Sequence, residues 1–176
     1  PSDWETPFKL LDVNKPFTAR PSITIDEQFR TWVIAGTGRL FTNLDKDSTA
    51  VQSLYGFIDQ YSINGNTLID PAAPTPLDHT EFKDVTLART FASGDVDLDD
   101  DDEFDTTFDS YRSTVSDAGG WVLDYESDAP DFILPAERTV SNQTLIGGIV
   151  LSSAFTPTTD LCGAEGTSRI IGRAFD

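Results

Sequence analysis

Apolar residues fall in short clusters along this chain, each cut off by Gly, Pro, Asn or Asp before it reaches helical length. No stretch shows twelve residues of helical periodicity, whereas runs of about four to eight residues rich in β-branched and aromatic side chains recur, which predicts an all-β chain. The runs predict strands at Pro21 to Ile25, Thr31 to Ala35, Ser53 to Ile58, Trp121 to Leu123, Arg138 to Val140, Gln143 to Ile146, Gly148 to Ser153 and Ser168 to Phe175. Two of them, Trp32-Val33-Ile34-Ala35 and Ile149-Val150-Leu151, are continuously apolar. Continuity of that kind predicts strands covered on both faces.

The two ends of the chain repeat weakly. Arg20-Pro-Ser-Ile-Thr-Ile, the Trp32 run and Ser53-Leu-Tyr-Gly-Phe-Ile-Asp59 are echoed by Arg138-Thr-Val-Ser-Asn-Gln-Thr-Leu-Ile, a Gly147-Gly148 turn into Ile149-Val-Leu-Ser, and Ser168-Arg-Ile-Ile-Gly-Arg-Ala-Phe-Asp176. The third strand of each unit carries a Gly and closes on Asp; a small residue there lets neighbours approach, and the Asp can hold the following turn. Strand, strand, strand with Gly in the third reads as one blade of a β-propeller. A blade takes about 40 to 45 residues and closed rings use about 4 to 8 blades. The chain therefore supplies two or three blades, a partial propeller whose edges need completing by the rest of a parent protein or by a second chain.

Three segments follow from this: residues 1–63 as the first propeller part, 64–118 as an insertion, and 119–176 as the C-terminal blade. The insertion opens with a Pro-rich stretch, Asp70-Pro-Ala-Ala-Pro-Thr-Pro76, which cannot form a ladder. It continues into an acid run, where residues 95 to 109 hold nine carboxylates and no cation. Such a run is either solvated or metal-bound.

Charge sharpens the picture. The chain has 176 residues, with Lys+Arg 12 against Asp+Glu 30 and a net charge of −18, which opposes encounter with DNA, RNA or an anionic membrane face. No apolar run approaches the roughly 18 residues of a spanning helix, so membrane insertion is not expected either. Asp outnumbers Glu by 23 to 7, a bias toward turn-forming side chains that fits a β-rich, extracellular protein. Met is absent and the chain begins at Pro1, which predicts a processed chain or a piece of a longer one. A single Cys, Cys162, and a single His, His79, rule out an internal disulfide and a Cys/His zinc site.

The order of these segments resembles the C-terminal propeller of PilY-type proteins, large factors associated with type IV pili. The resemblance rests on Lys15-Pro-Phe-Thr-Ala-Arg-Pro21, on Ala35-Gly-Thr-Gly-Arg-Leu-Phe41 followed by Gln52-Ser-Leu-Tyr-Gly-Phe-Ile-Asp59, and on Gly119-Gly-Trp-Val-Leu-Asp124. It continues through Glu137-Arg-Thr-Val-Ser141, Gly147-Gly148 before a strand ending Phe155-Thr-Pro157, and Asp160-Leu-Cys-Gly163. It implies an envelope-exposed, pilus-associated, noncatalytic module for pilus assembly and surface adhesion, with pilin or minor pilin subunits and a surface or host receptor as partners. The calcium loop usual in that family lies upstream of Lys15-Pro-Phe and is not carried over, and the insertion has no counterpart in it.

The acid run is therefore weighed alone. Asp95, Asp97, Asp99 and Glu103 form one register of spacing 1, 3, 5, 9, and Asp97, Asp99, Asp101 and Asp105 form a second. Calcium takes 6 to 8 oxygens, and alternate carboxylates on a tight loop supply them. The glycine that turns such loops is missing, and a solvated, self-repelling loop is the competing reading. Gly36-Thr-Gly38 reads as a turn or bulge, because no helix follows to complete a phosphate cradle. His79 reads as a surface residue without a nucleophile partner. Trp32, Tyr55, Trp121 and Phe155 read as core. A calcium-dependent binding module is the alternative function, and a hydrolase on a propeller scaffold a distant third.

Overall fold

The computed structural model describes residues 9–59, 75–125, 135–158 and 165–175. Within it the first three apolar runs fold into an antiparallel meander of β1 (Ser22–Ile25), β2 (Thr31–Gly36) and β3 (Ser53–Ile58). The β1–β2 turn closes around the buried carboxylate of Asp26. It accepts the backbone N–H groups of Gln28 (2.9 Å) and Arg30 (2.8 Å), Arg30 Nε (2.6 Å) and the indole N–H of Trp32 (2.9 Å). Between β2 and β3 lies the one-turn helix α1 (Asn43–Lys46), where Thr42 and Asp45 cap each other reciprocally.

The chain then builds β4 (Lys83–Asp84), a small antiparallel sheet of β5 (Arg89–Thr90), β6 (Asp95–Asp97) and β7 (Thr106–Thr107), the helix α2 (Phe108–Asp117) and β8 (Gly120–Asp124). β8 inserts between β3 and β4, giving a five-stranded sheet of order β1-β2-β3-β8-β4 in which only the β4–β8 pair is parallel. A second sheet follows from β9 (Arg138–Thr139), β10 (Thr144–Ile146), β11 (Ile149–Pro157) and β12 (Gly166–Ala174), with β10, β9 and β12 all pairing with β11. All eight strands expected from the apolar runs are present, and both end units are three-stranded meanders. The turn between β10 and β11 is made by Gly147 (φ 56) and Gly148 (φ 85), the left-handed pair that a two-residue hairpin demands. None of the three sheets closes on itself. The Pro-rich residues 70–74, Cys162 and Asp176 lie outside the described residues.

The central sheet is covered on both faces, as the Trp32 run predicts. Trp32, Ile34, Leu54, Trp121 and Leu123 share one buried cluster with Val150 and Ala154 of β11 and with Val85, Val96, Tyr111 and Val115. On the opposite face Tyr55, Phe57 and Val122 meet Phe82, Leu10, Leu11 and Leu77. The Ile149 run behaves differently: Val150 is buried whereas Ile149 is 47% exposed, so β11 buries one face only. Its outward positions form registered rows across the second sheet: Ile146–Ile149–Ala174, Thr144–Leu151–Gly172, Ser153–Ile170 and Phe155–Ser168. The first three rows carry no charged residue, although 24% of the chain is charged; the fourth is completed by Arg138 of β9, opposite Phe155, whose side chain is almost fully buried. On this face Ile146 is 61% and Ile170 77% exposed, and among the described residues β12 pairs with β11 alone.

The longest element that escaped the sequence pattern is a helix. α2 is ten residues long and presents Phe108, Tyr111 and Val115 to the core, an i, i+3, i+7 stripe too short to fill a twelve-residue window.

Candidate functional site

The acid run occupies the end of β6, the following loop and the start of β7. Asp97 is fully buried, and its carboxylate faces back along the chain. Its Oδ1 accepts the backbone N–H groups of Asp99 (3.1 Å) and Asp100 (2.8 Å), and its Oδ2 accepts that of Asp102 (3.1 Å). Asp105 accepts the N–H of Leu98 (2.8 Å) from the far side of the loop. The missing glycine is replaced by Asp100 (φ 64) and Asp102 (φ 67), because Asp tolerates the left-handed region through local side-chain bonding. Below the loop Val96 is buried, and Phe91 and Phe104 meet edge to face at 5.1 Å between ring centroids.

This folding brings together three of the six candidate ligands. Oxygen atoms of Asp97, Asp99 and Asp105 all lie within 4.8 Å of one another, whereas Asp95, Asp101 and Glu103 fall outside the group. Neither sequence register is the one formed: the set takes positions 1, 3 and 9 of the second and leaves out its Asp101. Burial pushes the Asp97 carboxyl up, but the surrounding backbone N–H groups win and hold it below the usual range. Asp99 moves the other way, raised first by the charge of Asp101 and then by burial, Asp105 and Asp97. The nearby cation, Arg89, pairs with Asp100 and stands 3.8 Å from Asp102. An all-oxygen donor set of this kind could hold a hard cation, and its lack of Cys or His disfavours zinc.

The other sequence candidates resolve into structural roles. The space over Gly36 and Gly38 is filled by Thr139 and Arg138, and Thr37 Oγ1 accepts the N–H of Ser53 at 2.7 Å, so no phosphate could enter. His79 is not the isolated surface residue that the sequence suggests. It sits on a 3-10 turn, His79–Glu81, capped by Asp78, with Nδ1 2.9 Å from the Tyr55 hydroxyl and Nε2 3.5 Å from Asp124. Asp124 in turn holds Ser53, and Lys15 Nζ lies 2.5 Å from Ser53 Oγ and 3.3 Å from Asp124. These partners are far apart in sequence, so no local motif could announce them. Ser53 is wholly buried, with its hydroxyl engaged on both sides. The cluster fastens residues 15 and 79 to β3 and β8 and presents no nucleophile to a substrate.

These observations define a mostly β fold of open sheets with a candidate cation-binding loop and no assembled nucleophile at its His cluster. No protein-family model matches the chain, and no curated protein matches it in sequence. Among solved structures its fold is similar to the crystal structure of the Pseudomonas aeruginosa PilY1 C-terminal domain, with a TM-score of 0.55 and 22% identity. The match covers 92% of this chain but 31% of that one, so this chain spans about a third of the length of the structure it resembles.

Proposed function

We propose that this chain is a noncatalytic structural and adhesive module of a PilY-like, type IV pilus-associated protein. In this reading it is a partial propeller of two or three blades, carried at the cell surface, that supports pilus assembly and attachment. The observation that carries the reading is the outward face of the second sheet, whose one charged residue, Arg138, is buried, beside an edge of β12 that pairs with no further strand among the described residues. The fold likeness to a structure of which this chain spans a third supports it. An apolar sheet face is stable only when another layer covers it, and an open edge takes a further strand through backbone hydrogen bonds. The partner is therefore the remainder of the parent protein or a second chain, with pilin or minor pilin subunits and a surface beyond it.

Native mass spectrometry of the particle recovered from cells tests this reading. A second polypeptide or a longer parent in contact with this chain is the expected result, lost when Ile146 and Ile170 are both replaced by Glu. Recovery of this chain alone as a monomer overturns it.

A second reading, a calcium-dependent ligand-binding module, is favoured by the convergence of Asp97, Asp99 and Asp105. Calcium is the ion of choice because its large, flexible oxygen shell suits a loop that still needs backbone carbonyls and water to complete it. Isothermal calorimetry in the micromolar to millimolar range is expected to show saturable heat, and its absence removes this reading.

A further inference from the structure

Away from the acid loop and the uncharged sheet face, a cleft of about 550 Å³ opens between residues 13–16 and the segment that joins β2 to β3. That volume is within the range of small-ligand sites. Its lining includes Lys15, Arg39 and Arg138 against one acid, Asp45, so a quarter of the chain's 12 cations meet here in a molecule of net charge −18.

The floor is fixed before any ligand arrives. Arg138 is almost fully buried and ties four carbonyls together: Ala136 (2.9 Å), Arg39 (3.0 Å), Ser48 (3.1 Å) and Asp45. The Asp45 carboxylate accepts the N–H groups of Phe41 and Thr42, both at 2.9 Å, and Arg39 Nε at 2.7 Å. These bonds leave one solvent-facing donor group and one buried acceptor free to meet a ligand. The side chain of Arg39 is 56% exposed, and among the described residues its terminal amino groups have no partner, since only Nε is used. Gln52 is 7% exposed and lines the cleft. Its Nε2 donates to Ala50 O at 2.8 Å, but its buried Oε1 has no donor among the described residues. A buried acceptor without a donor is uncommon and costly.

We infer that this cleft binds a peptide through a carboxylate. The planar fork of Arg39 offers its two terminal N–H groups to the carboxylate, and Gln52 Oε1 accepts a backbone N–H of the same peptide, directly or through one water. Val13, Pro16 and Val51 give the rest of the segment an apolar wall. The carboxylate can come from an acidic side chain or from a C-terminus.

Three probes separate these sources in an NMR titration of the full chain at physiological salt, where the Debye length of about 8 Å screens the remote carboxylates. N-acetyl-glutamate α-amide carries a side-chain carboxylate, N-acetyl-glutamine a terminal one, and N-acetyl-glutamine α-amide none. Ligands of this size are expected near the millimolar range. At least one carboxylated probe is expected to move the Arg39 Nε–H and Gln52 side-chain amide resonances, at least tenfold more tightly than the neutral probe. D-glucuronate, which lacks an amide N–H, is expected to bind several-fold more weakly than the better carboxylated probe. Arg39→Gln should abolish the response. Because Arg39 also holds Asp45, Gln52→Met is the second variant, removing the unpaired acceptor while leaving Arg39 and Asp45 in place; it should keep the parent melting temperature and weaken binding several-fold. No response to either carboxylated probe, equal response to all three, equal binding of D-glucuronate, or undiminished binding in both variants overturns the assignment.

Discussion

Gly56 stands between Ile34 on one neighbouring strand and Trp121 on the other, and the indole of Trp121 lies directly over it. A Cβ there would meet Trp121 Cε2 at 2.3 Å, while the indole N–H is held by the carbonyl of Phe175 at 3.1 Å and cannot simply swing away. Gly172, its counterpart in the C-terminal unit, has Leu151 Cδ2 at 3.4 Å as its nearest obstacle. The two glycines match in sequence and differ in what they admit. Gly56→Ala is therefore expected to destabilise by about 3 kcal/mol in urea unfolding, and Gly172→Ala by no more than about 0.5 kcal/mol. Asp26 supports a second prediction at this scale. Burial would raise its pKa, but the indole of Trp32 and the N–H groups and charge of Arg30 together lower it. A lowered folded-state pKa adds stability above the unfolded value that is lost as pH falls through the folded one. Asp26→Asn is expected to cost about 2 kcal/mol at pH 7, and the gap to the parent should begin to close only below about pH 3.9. A gap independent of pH would mean that shape, not charge, holds the turn.

At the scale of elements, legibility followed the range of the interactions involved. Every strand with a strong apolar run could be read, because burial of β2, β3, β8 and β11 is written in their own side chains. β4 to β7 could not: they are two or three residues long and are set by pairing with β8 or with one another. α2 failed for want of length. The acidic cluster was half legible. Alternation nominated six carboxylates, of which Asp97, Asp99 and Asp105 lie together and Asp95, Asp101 and Glu103 do not; the loop between them takes left-handed turns at Asp100 and Asp102, and no spacing rule contains that information. The loop supports a prediction of its own. The raised pKa of Asp99 means that its carboxylate is repelled at neutral pH, first by Asp101; the stability linked to its protonated form is complete below the unfolded pKa and lost as pH rises through the folded one. Either neutralisation or a cation should relieve the repulsion. In EDTA, Asp99→Asn is expected to raise the thermal midpoint, and calcium should raise the parent's midpoint more than the variant's. Equal midpoints with and without calcium would leave the loop as a solvated acidic turn.

For the molecule as a whole, the decisive contrast is between a surface crowded with carboxylates and one sheet face with none. Net charge of −18 keeps copies apart and deters polyanions, so the uncharged rows of β10, β11 and β12 are the surface on which another protein layer can settle without desolvating charge. Scattered apolar side chains need no explanation, but a contiguous set does. The nine-residue length of β12 matters equally, since among the described residues its far edge pairs with no strand, and a single added sheet could cover both that edge and the outward face. Arg169 and Arg173 stand on the other face of the sheet, bound to Glu137 (2.7 and 2.6 Å) and to the carbonyls of Ala88 (2.6 Å) and Val85 (3.1 Å), and Arg138, opposite Phe155, is buried, so no exposed charge lies in the outer rows. Ile146→Glu with Ile170→Glu places two carboxylates there on side chains that are already exposed. Urea unfolding of the isolated variant should stay within about 0.5 kcal/mol per substitution of the parent, while association measured by sedimentation should fall away. If the variant associates as the parent does, this face is not a docking surface; if it unfolds, these positions serve the fold and not a partner.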